Sequence, residues 1–89
     1  MGKINFGEWV KSQLVQLGMK DYYLMLRTGL GEGAVNRWRK LNQTPRIDKF
    51  LIICEVLSNE RGEDLDQVIQ EALYSIPAYR AAKQREKIL

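Results

Sequence analysis

Apolar side chains recur along this chain at intervals of three and four, and the recurrence is punctuated by glycines and two prolines. Phe6, Trp9, Val10, Leu14 and Leu17 share one face of a first helix, and Gly18 follows as a stop, because glycine accepts the left-handed backbone of a helix end. Asp21 opens a second set, Tyr22, Leu24, Met25 and Leu26, with its carboxylate suited to the positive end of a helix dipole. This second helix is expected from about residue 21 to about 28, ended by Gly29. Beyond a tight corner at Gly29 and Leu30, Ala34, Val35, Trp38 and Leu41 form the apolar face of a third helix, while Asn36, Arg37, Arg39 and Lys40 point elsewhere. Pro45 closes the next turn and suits the start of a fourth helix, whose apolar surface comes from Ile47, Phe50, Leu51, Ile53, Cys54 and Leu57. Ser58 to Asp64 reads as a polar loop around Gly62, and Leu65, Val68, Ile69, Ala72 and Leu73 define a fifth helix. Pro77 breaks the pattern, leaving 77–89 as a basic, short helical or frayed extension to a domain of residues 1–76. No segment alternates with the period of a strand, so the fold class is all-α.

Composition narrows what such a bundle can do. With 89 residues, 45% of them apolar and 28% charged, the chain supports one ordinary globular domain and not a disordered one. The longest uncharged apolar stretch, Phe50 to Cys54, is far too short to cross a bilayer, and the first eighteen residues lack a secretion signal, so a cytoplasmic protein without membrane contacts is expected. Cys54 is the only cysteine and there is no histidine, which excludes an internal disulfide, a thiol-imidazole pair and an ordinary zinc site. Paired carboxylates occur only in the loop after the fourth helix, and no activated nucleophile can be named, so neither catalysis nor a metal or cofactor is expected. Cys54 reads as a small buried hydrophobe, and Trp9, Trp38 and Phe50 as core.

The net charge of +3 is modest, but its distribution is not. Residues 27 to 49 carry six basic side chains against two acidic ones, residues 50 to 73 carry six acidic against one basic, and the tail is basic again through Arg80, Lys83, Arg85 and Lys87. One face is therefore suited to a polyanion and another turned away from it.

Within Met19 to Leu41, two short helices meet at a glycine corner and the second ends in basic residues. Counting Asp21 as the first position of a helix-turn-helix unit, Leu24 falls fourth, Gly29 ninth, Leu30 tenth, Val35 fifteenth and Trp38 eighteenth, the buried and corner positions of such a unit. Together with Val10 to Met19, Ala34 to Trp38, Pro45 to Leu57 and Leu65 to Ile69, these residues resemble the repressor and Cro proteins of lambdoid phages and the wider bacterial family of such regulators. The resemblance implies a five-helix fold, with the third helix lying in the major groove of double-stranded DNA. By position it implies Glu32, Gly33, Asn36, Arg37 and Lys40 as base-reading residues and Lys20, Gly31, Gln43, Thr44, Arg46 and Lys49 as phosphate contacts. The side chains suit these tasks: arginine pairs with guanine, asparagine with adenine, and glutamate accepts from cytosine. Three positions depart from the family pattern: Asp21 where glutamine is usual, Met25 where a small residue is usual, and Leu14 with Arg39 where relatives hold an arginine and a glutamate.

An outward apolar face on the fifth helix, Val68, Ile69, Leu73 and Ile76, would form a homodimer interface; packing of that face on the first and fourth helices is the alternative. A dimer would set two recognition helices about 34 Å apart on an inverted repeat. The expected function is sequence-specific regulation of transcription, as a repressor of phage or mobile-element type controlled by its concentration or by a regulatory protein partner. The competing reading keeps the helix-turn-helix fold as a protein-interaction adaptor.

Overall fold

The computed structural model describes residues 4–31 and 33–88, with side chains as far as Glu86. It contains six helices: α1 (Phe6–Leu17), α2 (Asp21–Thr28), α3 (Ala34–Leu41), α4 (Ile47–Arg61), α5 (Leu65–Tyr74) and α6 (Pro77–Ile88). Among the described residues there is no strand, and no helix is long and apolar enough to cross a membrane.

Each boundary has a local cause. Asn5 is extended before α1, and its side-chain oxygen accepts from the Glu8 amide at 2.8 Å, which satisfies one of the amides a helix start leaves open. The αL backbone at Gly18, φ 67°, lets the Met19 amide reach back to the Leu14 carbonyl at 2.9 Å and end the helix. α4 runs to Arg61, about a turn beyond the expected loop boundary at Ser58, because Ser58 is buried and Arg61 is anchored by side chains of α1 and α5. Asp64 caps α5, its carboxylate accepting from the Asp66 amide at 3.1 Å. Pro77 does not fray the chain. It is the first residue of a twelve-residue helix, where its missing amide costs nothing.

The core gathers Phe6, Val10 and Leu14 from α1, Leu24 from α2, Val35 and Trp38 from α3, Phe50, Ile53 and Leu57 from α4, and Val68 and Ala72 from α5. Phe6 sits at its aromatic centre, with ring centroids 5.9 Å from Trp9, 5.6 Å from Trp38 and 5.3 Å from Phe50. Burying such a side chain contributes about 1.5–3 kcal/mol. α1 and α3 touch through backbone: the pro-Cβ position of Gly7 lies 2.2 Å from the Arg39 amide nitrogen, so only glycine fits there.

Several apolar positions face outward, contrary to the sequence periodicity. Tyr22 and Leu26 are 65% and 66% exposed, and of the apolar set on α2 only Leu24 is fully enclosed. Leu41 is 60% exposed because it stands at the last residue of α3, where the chain leaves the core. Ile47 and Leu51 are exposed as well, one turn apart on the outer side of α4. The apolar face of α5 is instead turned inward: Val68 is fully buried, and Ile69, Leu73 and Ile76 pack against the core, with α5 lying on α4 and α1. Of the four residues expected to join two copies, Val68 is enclosed, whereas Ile69, Leu73 and Ile76 stay partly exposed.

Candidate nucleic-acid interface

The α2–α3 unit is held by a buried threonine and two left-handed glycines. Thr28 donates its hydroxyl to the Leu24 carbonyl at 2.7 Å and accepts from the Leu30 amide at 3.4 Å, so one side chain bonds to the chain on both sides of the corner. Gly29 adopts φ 72° and bonds its amide to the Met25 carbonyl at 2.8 Å, a geometry that a side chain would strain. Gly33, at φ 78°, is the residue before α3 and not within it, so neither it nor Gly31 weakens the helix. Leu24, Met25, Leu30, Ala34 and Val35 border a crevice of about 20 Å³ between the two helices, room for a single water. Met25 is half-buried there, which is how the crossing accommodates a large residue.

α3 then divides cleanly. Ala34, Val35 and Trp38 are buried, whereas Asn36, Arg37 and Lys40 are exposed on the opposite side. The helix is fixed from behind by α1: Asn5 Nδ2 donates to the Arg39 carbonyl at 2.9 Å, and the Arg39 guanidinium lies 3.6 Å from Glu8. Asn5 and Glu8 thus position the end of α3, a role that sequence reasoning missed although the asparagine and glutamate stand at capping-box spacing before an apolar run. Asn36 accepts from Arg39 through Oδ1 at 3.2 Å, which leaves its amide nitrogen pointing outward for another acceptor. The Arg37 guanidinium lies beside Gly33, with Nη1 3.9 Å from that residue's pro-Cβ position, at the start of the helix.

Gly31, Gly33, Asn36, Arg37 and Lys40 are accordingly exposed together at the corner and along one helix face, while Glu32 lies outside the described residues. Asp21, Tyr22 and Met25 of α2 line a shallow cleft with Gly33 and Asn36. Asp21 would meet an anion unfavourably, but Lys11 stands 3.4 Å away and offsets its charge. Of the expected phosphate contacts, Lys20 is exposed before α2, and Gln43, Thr44 and Arg46 are exposed in the connection from α3 to α4. Among the described residues no acidic side chain pairs with Lys20, Lys40 or Arg46. Lys49 is different: its ammonium donates to the Thr28 carbonyl at 3.4 Å, at the negative end of α2, so it ties α4 to the corner.

Three acidic side chains of the α4–α5 region, Glu60, Glu63 and Glu71, are occupied internally. Arg61, only 14% exposed in its side chain, donates to Gln13 at 2.9 Å and to both Glu71 oxygens at 2.8 and 2.7 Å, and pairs with Glu63. That hydrogen bonding from Arg61 holds the Glu71 carboxyl below its usual value and keeps the guanidinium charged. Arg27 and Tyr23 bind Glu60 on the surface. Burial pushes the Cys54 thiol up to about 12, which keeps it protonated at neutral pH. Comparison with protein-family models, with curated proteins and with solved structures finds no match to this chain.

Proposed function

We propose that this chain is a sequence-specific regulator of transcription that binds double-stranded DNA through α3, in the manner of the phage repressor and Cro proteins it resembles. One observation carries the reading: α3 presents Asn36, Arg37 and Lys40 to solvent from a helix whose other side, Ala34, Val35 and Trp38, is locked into the core. Forked and paired donors on a rigid, slender helix match the acceptor pattern of base edges in the major groove. Lys20, Gln43, Thr44 and Arg46 flank that helix at exposed chain turns, where phosphate contacts set register without reading sequence. Repression by a homodimer at an inverted repeat is part of the same reading. Leu73 and Ile76 of α5, which line a cleft with the exposed Ile47 of α4, are the apolar surface on which a second copy is expected.

Selection of bound duplexes from a random pool tests the reading. Enrichment of one short motif, repeated with inverted symmetry, is the expected outcome. A folded protein that enriches nothing at low salt refutes it and leaves the adaptor reading, in which that same apolar surface would bind a protein.

A further inference from the structure

We infer that Arg80 of α6 is a positioning residue for the recognition helix, holding from behind the turn of α3 that presents Lys40; this rests on the DNA-binding reading above. It gives the C-terminal helix a part in base selection without any contact to DNA.

The brace is one planar guanidinium between two carbonyls. Arg80 donates from Nη1 to the Tyr74 carbonyl and from Nη2 to the Ile4 carbonyl, both at 2.8 Å. Tyr74 is the last residue of α5, where carbonyls lack helical donors and a cation is favoured. Its ring meets that of Tyr79 edge-on at 5.1 Å, which seats the first turn of α6 and brings Arg80 to this position. Ile4 lies just outside the α1 ladder, which opens with the Asn5 carbonyl accepting from the Trp9 amide at 3.0 Å. Packing does not fix Ile4, which is 56% exposed and borders an open groove with Tyr74 and Ser75. Lysine lacks the rigid fork that meets both carbonyls.

Ile4 leads directly into Asn5, which is buried and uses its side chain in two directions. Its Oδ1 accepts from the Glu8 amide at 2.8 Å, and its Nδ2 donates to the Arg39 carbonyl at 2.9 Å. That carbonyl belongs to the last turn of α3 and is one of those a helix end leaves open. Through one residue, then, α6 sets the orientation of the amide that holds the turn. Different parts of the fold seat the two halves of α3. Ala34 and Val35, with the Thr28 corner, seat the half where Arg37 lies beside Gly33, and Asn5 seats the half that ends in Lys40.

The test measures duplex affinity, over single base-pair changes in the selected motif and over salt, for full-length wild type, Lys40→Gln, Arg37→Ala, Arg80→Gln and Arg80→Lys. Thermal unfolding of each is followed by circular dichroism. Arg80→Gln should lose about 3- to 10-fold of the discrimination at the base pairs that Lys40→Gln identifies, the scale expected of a residue acting through others. Discrimination at the pairs that Arg37→Ala identifies should persist, and the salt slope should not change, since no phosphate contact is removed. In an Asn5→Ala background the same substitution should cost nothing further, because the path is already cut. Arg80→Lys, which keeps a donor, should fall between wild type and Arg80→Gln, and it carries the test if the glutamine variant does not fold. Uniform loss across the motif with a lower salt slope would make Arg80 a phosphate contact and overturn the inference; additive losses with Asn5→Ala, or no loss, overturn it as well. Wild type that binds no duplex overturns the DNA reading. Amide exchange then decides the brace by itself: faster exchange at Lys40 and Leu41 in Arg80→Gln supports it, and equal exchange overturns it.

Discussion

Replacing Gly7 with alanine adds one methyl group where α1 crosses α3, and the structure gives the size of the collision. The new Cβ would lie 2.2 Å from the Arg39 amide nitrogen, 2.6 Å from its Cα and 2.8 Å from the Trp38 carbonyl carbon. All three are backbone atoms, so no side-chain rotation relieves the clash, and the helices must part by about 1 Å. Separation loosens the Phe6 cluster with Trp9, Trp38 and Phe50 and lengthens the Asn5–Arg39 bond. Overpacking against backbone costs about 3 kcal/mol, the upper end of the usual range, and the better helix propensity of alanine returns about 1 kcal/mol, for a net loss near 2 kcal/mol. In a domain this small that corresponds to a fall in Tm of roughly 8–16 °C. Urea unfolding, followed by far-ultraviolet circular dichroism and by tryptophan fluorescence from Trp9 and Trp38, measures it. Gly31→Ala is the control: its Cβ would enter open space, and the expected change is neutral to about 1 kcal/mol stabilising. A Gly7→Ala protein as stable as Gly31→Ala would refute the close crossing of α1 and α3.

Other outcomes follow from the same geometry. Arg61→Gln leaves Glu71 without its two donors and breaks the tie to Gln13, so a loss of about 2 kcal/mol is expected in the same urea assay. Because the folded chain holds the Glu71 carboxyl below its ordinary 4.5, this contribution is fully present above that pH and is lost as acid protonates the folded state. Wild type should therefore lose stability below about pH 4.5 more steeply than Arg61→Gln; parallel acid titrations would contradict this. Cys54 should react with a thiol reagent at least about 100-fold faster in urea than in the native protein, since its thiolate requires exposure. Gly31→Ala, folded and stable, should still weaken duplex binding if the backbone at the corner approaches a phosphate closely.

Much of the fold can be read from local chemistry. Gly18, Gly29 and Gly62 end helices as left-handed residues, and the α1 pattern of Phe6, Trp9, Val10 and Leu14 is the face that is buried. Periodicity misleads where a helix has several neighbours or too few. Ile47 and Leu51 lie on an apolar helix whose core contacts come from Phe50, Ile53, Cys54 and Leu57, and nothing in the spacing distinguishes the two sets. The polar stretch after Ser58 remains helical because distant partners hold Arg61, information that no local window contains. α6 is likewise obscured, since a proline that ends one helix is equally suited to begin the next. At the candidate site, the exposed set Asn36, Arg37 and Lys40 follows from the α3 period, whereas the Asn5 and Glu8 supports and the tie from Lys49 to Thr28 depend on tertiary folding.

The central claim is that α3 reads bases, and the most direct measurement is the affinity of wild type and Arg37→Ala for a selected duplex and for a scrambled one at equal salt. Reading by Arg37 predicts that the mutant, with its thermal unfolding unchanged, loses about 5- to 150-fold on the selected duplex, the equivalent of about 1–3 kcal/mol. Its affinity for the scrambled duplex should fall far less, so that the specificity ratio collapses. Equal losses on both duplexes would mean that Arg37 contributes charge alone, and an unchanged ratio would contradict base readout by this residue.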